Sequence, residues 1–141
     1  MKGEIIVDCI QNIKKTLKNI ITNDIPSTNG PVYLWNEVIL AASPEIGHLI
    51  DAEIDTKVAK RLAIVCGCAA DNKLQIVIAG LNSESGNIPV IMNTIELNTE
   101  TPAGGCIIND TFPFTRITAT NNDTVSAGVI TVSYVITNKV I

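Results

Sequence analysis

Four thiols, a single imidazole and a row of alternating carboxylates are the side chains of this sequence best placed to do chemistry. Cys66 and Cys68 form a C-x-C in "AIVCGC", with Cys9 and Cys106 elsewhere. Thiolates so close together suit a soft metal or a disulfide. Structural zinc sites, however, carry C-x₂₋₄-C pairs matched by a second pair, and here the second pair is missing. A tetrahedral set of Cys66, Cys68, Cys106 and His48 would require adjacent same-face strand positions both to turn toward the ion. In a period-two reading Leu62, Ile64, Cys66 and Cys68 share one side of a strand and Ala63, Val65 and Gly67 the other. Free cysteine then acts as a small buried hydrophobe, and no metal site is expected. Four cysteines in 141 residues do not make a disulfide-dense scaffold, so reduced thiols are the expected state.

His48 sits in "PEIGHLID" between a glycine and apolar residues. Nucleophilic catalysis of the Ser–His–acid or Cys–His type would have to recruit this one residue, and no G-x-S-x-G precedes a helix. A structural histidine is expected, with no catalytic residues, no cofactor and no enzymatic activity. Asp51, Glu53 and Asp55 in "IDAEID" fall on one face of an extended segment. Three such carboxylates suit a hard cation, but a charged strand edge that resists edge-to-edge pairing explains them as well, and the edge reading is strongly preferred. Asn121, Asn122 and Asp123 offer further oxygen ligands, yet Asn and Asp are the ordinary residues of tight turns. A turn is expected there.

The composition limits the partners. Hydrophobic residues make up 46% of the chain, charged residues 17%, and the mean hydropathy is +0.31. This is more apolar than an average soluble chain, which suggests that something besides its own core covers the surface. A net charge of −4 argues against a grip on phosphates, which is built from clustered Lys and Arg. No nucleic-acid partner is expected. The longest apolar runs fall far short of the roughly 20 residues that cross a bilayer, so no membrane partner is expected either. The amino-terminal "MKGEIIVDCIQNIKK" lacks a small-residue cleavage pattern, and folding in the cytosol is expected. Aromatic residues are only 4%, namely Tyr33, Trp35, Phe112, Phe114 and Tyr134. Most are needed inside: Trp35 is expected to anchor the core, with Phe112–Phe114 as a strand lead-in packed against it.

Two patterns position these groups. Ile6, Ile10, Ile13, Leu17 and Ile20 are spaced 4, 3, 4, 3 and share one seam of an α-helix. Early acids (Glu4, Asp8) and late lysines (Lys14, Lys15, Lys18) complement the macrodipole. A helix this short is marginal alone. Its seam must be buried, either on the chain's own sheet or against copies of itself, and Ile-rich a and d positions favour trimers or tetramers. Residues 1–23 are therefore expected to form an oligomerising or docking helix, and "DIPSTNGP" over 24–31 a linker. Residues 32–141 alternate with period two. Strands are expected at Val32–Ala41, Val58–Cys68, Leu74–Leu81, Val90–Leu97, Gly105–Ile108, Phe114–Ala119 and Val129–Ile136. Seven short strands divided by "AADNK", "NSESGN", "TPAGG" and "TNNDTVSAG" predict a mostly β fold, an antiparallel sandwich of jelly-roll or immunoglobulin-like type.

From Leu74 to Ile136 the chain resembles the small β-sandwich virion proteins of tailed bacteriophages, including head decoration, head fibre and tail accessory proteins. The resemblance lies in "LQIVIAGLNSESGNIPV", then "TIEL", then "FPFTRITATNNDTVSAGVITVSYVI", with Arg116 alternating with apolar and Thr positions. It implies a non-enzymatic structural role in the virion, a homo-oligomer (a trimer being favoured), and capsid or tail proteins as partners. The association surfaces expected are the seam Ile6, Ile10, Ile13, Leu17 and Ile20 and the small-residue strand face Ala63, Val65 and Gly67. The alternative is a glycan-binding sandwich mediating adhesion to a host surface.

Overall fold

β-Branched residues at alternate positions build the architecture. The computed structural model describes residues 25–26, 31–69 and 73–138. Its strands are β1 (Ile25–Pro26), β2 (Val32–Leu40), β3 (Leu49–Asp55), β4 (Ala59–Cys68), β5 (Leu74–Leu81), β6 (Val90–Leu97), β7 (Ala103–Asn109), β8 (Phe114–Asn121) and β9 (Gly128–Asn138). All seven expected strands are present, β5 and β6 with the bounds expected. The helix expected over Ile6–Ile20 lies outside the described residues.

The expected set needs one correction: β3 is missing from it. Asp and Glu are poor strand formers, so "LIDAEID" stands outside the seven expected strands, although its alternating carboxylates read as a charged strand edge, which is where β3 lies. An unbroken seven-residue ladder to β8, from Leu49↔Thr120 to Asp55↔Phe114, holds it extended. β1 is a two-residue pairing inside the expected linker, with Ile25 opposite Asn138 and Pro26 opposite Thr137.

All pairings are antiparallel. One sheet has the order β2-β9-β4-β7, with β1 continuing the β2 edge along β9; the other has the order β3-β8-β5-β6. Each is four strands wide, and from β2 onward the chain crosses between them at every connection except the β5–β6 hairpin. This is the order of a jelly roll, eight strands in two Greek keys.

The core lies between the sheets. Leu62, Ile64 and Cys66 from β4 and Ile130 and Val132 from β9 meet Leu74, Ile76 and Ile78 from β5 and Ile117 and Ala119 from β8. Trp35 is 8% exposed and joins this cluster from β2, as expected of the anchoring aromatic. The Phe112 ring occupies the space where Gly80 lacks a Cβ. Below it Thr56 Oγ1 donates to Phe112 O at 2.6 Å and lies 3.0 Å from Thr115 Oγ1, so these buried hydroxyls are satisfied rather than reactive.

Candidate functional site

The thiols face inward. Cys66 is buried, its Sγ donates to Gly104 O at 3.4 Å, and burial together with the nearby Cys106 pushes its pKa up to about 11. Burial raises Cys68 and Cys106 as well. The nucleophile and metal ligand is the thiolate, and these three groups keep their protons at neutral pH. All three are free cysteines. His48 lies in the β2–β3 connection, where its Nδ1 donates to Glu45 O at 2.8 Å. Among the described residues no group of three or more His, Cys, Asp or Glu is gathered to hold a metal ion.

The carboxylates lie on an edge strand, since β3 ends its sheet. Same-face neighbours on a strand are roughly 7 Å apart, and here Glu53 and Asp55 have separate partners. Glu53 Oε1 accepts from Ser85 N at 2.7 Å, and its Oε2 is 3.8 Å from Arg116 Nη2. Arg116 Nη2 donates to Gly86 O at 2.9 Å. Glu53 and Arg116 thus pin the β5–β6 loop across the outer face of the β3-β8-β5-β6 sheet. Asp55 pairs with Lys57 at 3.4 Å on the exposed surface, a contact of small energetic value. An open depression of about 290 Å³ between the loop and β3 is lined by Glu53, Asp55, Lys57, Glu84, Ser85 and Phe114.

Asn121 departs from the turn reading. It is the last residue of β8 and fully buried. Its Nδ2 donates to Ala41 O at 3.0 Å and Ser126 O at 2.9 Å and lies 3.4 Å from Leu40 O, while its Oδ1 accepts from Asp123 N at 3.0 Å. The turn proper is made by Asp123, whose Oδ1 accepts from Val125 N at 2.8 Å and Ser126 N at 3.0 Å. These two bonds hold the Asp123 carboxyl below its ordinary pKa. A carboxyl with a depressed folded pKa contributes stability above its unfolded value, near pH 4, and loses it as pH falls through the folded value. The amides of Val125 and Ser126 are therefore expected to lose hydrogen-exchange protection as pH drops below about 4, after correction for intrinsic rates. Asp123→Ala should lack that protection at neutral pH.

The two outer sheet faces differ chiefly in charge, the β3-β8-β5-β6 face also exposing Leu49 and Ile91. On the β3-β8-β5-β6 sheet the outward positions include Asp51, Glu53, Asp55, Arg116, Thr118, Thr120, Gln75 and Glu96, with Gln75 Nε2 donating to Glu96 Oε1 at 2.7 Å. On the β2-β9-β4-β7 sheet they are largely apolar or small. Register places Ala63 between Val135 and Ile107, Val65 between Ser133 and Gly105, and Gly67 between Thr131 and Ala103; Tyr33 and Ile39 extend the face over β2. Ile39 is 71% exposed, Ile107 64% and Val65 62%. Arg61 and Glu37 lie toward opposite ends, with no charge among the outward positions between them. A shallow trough of about 550 Å³ runs along Ala63, Ile64, Val65, Gly105, Cys106 and Ile107.

The alternation expected for "AIVCGC" is thus observed, and the structure brings Ala63, Val65 and Gly67 together on this face. Ile107, Val135, Tyr33 and Ile39 are absent from the sequence reading of the site, because strand order and register, which join them to it, are not local properties. The seam Ile6, Ile10, Ile13, Leu17 and Ile20 lies outside the described residues.

No protein-family model matches the chain, and neither does any curated protein. Solved structures share its fold. The PBSX exported protein XepA superposes with a TM-score of 0.61 at 9% identity over 78% of this chain. This chain corresponds to 37% of that protein's length. A CBM4 structure aligns at a TM-score of 0.40 and 13% identity, covering 82% of this chain and 77% of that one. The CBM22-1–GH10 region of Clostridium thermocellum xylanase 10B aligns at 0.41 and 14%, covering 78% and 26%. At these identities XepA establishes likeness of fold alone, and the two weaker superpositions add no argument.

Proposed function

We propose that this chain is a non-enzymatic structural subunit of a tailed-phage particle, a capsid decoration or head-fibre component that docks on a particle protein through the outer face of the β2-β9-β4-β7 sheet. The observation that carries this reading is the uncharged apolar face itself, centred on Ala63, Val65 and Ile107. Four strands about 4.8 Å apart and nine residues long at about 3.3 Å each span roughly 600 Å². Docking would bury about twice that, counting both partners, which is the lower range of a specific interface. The PBSX exported protein XepA shares the sandwich fold that this reading requires. In this reading the Ile6–Ile20 seam gathers copies, most simply as a homotrimer, and the chain folds in the host cytoplasm before joining the virion.

The glycan-binding reading has less support. It calls for several exposed aromatic platforms, and of the five aromatic residues only Tyr33, at 59%, is exposed.

Mass spectrometry of particles purified from source cells tests the proposal. The chain is expected in the particles at a fixed ratio to the capsid protein. Val65→Asp, whose charge points to solvent in the isolated chain, should fold normally and fall at least tenfold in the particle fraction. A wild-type chain found only in the soluble fraction would sink the reading.

A further inference from the structure

We infer that β7 is an open pairing edge that joins a second copy of this chain, β7 to β7, about a two-fold axis at Cys106. The four sheet edges are not equivalent. Exposed edges invite pairing, and proteins blunt them with charge or bulges. The β3 edge carries Asp51, Glu53 and Asp55. The β2 edge has register shifts between Tyr33 and Trp35 and between Trp35 and Val38, with Glu37 at a φ of 52°. The β6 edge carries Glu96 and a register shift opposite Ile78/Ala79. β7 has neither device. Its seven residues "AGGCIIN" bear no charge, and its ladder to β4 runs unbroken from Asn109 to Ala103.

The phase of that ladder shows which groups are free. Cys68 N donates to Pro102 O at 2.9 Å, and bonded pairs recur at every second residue of an antiparallel ladder. The backbones of Gly104, Cys106 and Ile108 therefore face β4, in agreement with Gly104 O receiving the Cys66 thiol. The backbones of Ala103, Gly105, Ile107 and Asn109 face away from it. Among the described residues nothing else bonds to these outward groups.

The occupant follows from the strand's own sequence. With two β7 strands antiparallel about Cys106, Gly105 stands opposite Ile107 and Ala103 opposite Asn109. The outward residues then coincide as bonded pairs, and each outward N–H and C=O meets its complement. Sizes match as well, since every Ile107 on the outer face faces a glycine, as does every Ile108 on the inner face. The pairing joins the two sheets edge to edge and merges the two Ile107–Val65 faces into one surface of twice the width. It lies at the sheet edge opposite β1. This inference rests on the proposed function only for the use of the widened face.

Sedimentation of the full chain carrying Ile13→Asp, which removes the seam from the count, tests it. A dimer is expected at about 100 μM, with the outward amides of Gly105, Ile107 and Asn109 protected from hydrogen exchange in a concentration-dependent way. Adding Ile107→Pro removes an outward N–H and no bond to β4, a placement that an edge strand accepts, and should leave a monomer. Ile107→Val should restore the dimer and verify that folding is intact. A monomer at that concentration, or a dimer whose β7 amides exchange freely, would overturn the inference. A β7 dimer absent from particles would instead leave the edge standing and defeat the proposed function.

Discussion

Replacing Asn121 with leucine is expected to lower the unfolding free energy by about 4 kcal/mol, the largest loss of any single substitution at a polar position of this chain. The side chain is fully buried and ties three backbone stretches together: the end of β2 through Leu40 O and Ala41 O, the lead into β9 through Ser126 O, and the turn through Asp123 N. Leucine matches the volume and removes every bond. Each buried group left without a partner costs about 1–3 kcal/mol, and the bonds to three partly buried groups, Ala41 O, Ser126 O and Asp123 N, are lost at once. A urea titration is the measurement, with the midpoint falling and the slope unchanged. A change under about 1 kcal/mol would mean that water replaces the amide and that this end of the sandwich is open.

Gly105→Ala is expected to cost about 2–3 kcal/mol and to detach β7 from β4. A Cβ at Gly105 would lie 2.6 Å from the Ile64 carbonyl oxygen, and a backbone atom in a central strand cannot give way as a side-chain tip can. The strand would have to move, and with it Ile107, the trough along Ala63 and Val65, and the free edge. The signature is therefore double: a lower thermal midpoint, and loss of exchange protection at Gly104, Cys106 and Ile108, which bond to β4. An unchanged midpoint would show that the β4–β7 contact is looser than the register implies.

Much of this was legible in the residues. β5 and β6 could be bounded to the residue because turn chemistry flanks both. The inward row Leu62, Ile64, Cys66 followed from period two alone, and that alternation also removed the thiols from consideration as a metal motif. β3 was legible only as a charged edge without bounds, because its stability resides in its partner: Thr118, Ile117 and Arg116 of β8 hold Asp51, Ala52 and Glu53 extended. Asn121 was hidden for the opposite reason, since "TNNDT" looks like a turn and its first asparagine is instead a buried tie between segments some 80 residues apart. The assembly face was half visible. Ala63, Val65 and Gly67 are local, but Ile107 and Val135 join them only through a strand order that crosses between sheets, and no window of sequence contains it.

The pairing of Ile25 with Asn138 has a mechanical consequence. The first and last described strands are antiparallel neighbours that begin and end at the same corner. Pulling on those two points peels β1 and then β2 from β9 one rung at a time, a geometry that yields at low force. A load entering at Ile25 and leaving through β4 or β7 is shared instead along the whole β9–β4 ladder from Ala59 to Cys68, in shear. Tethered by its amino-terminal side and held by its β4–β7 face, the sandwich would carry tension along its resistant direction.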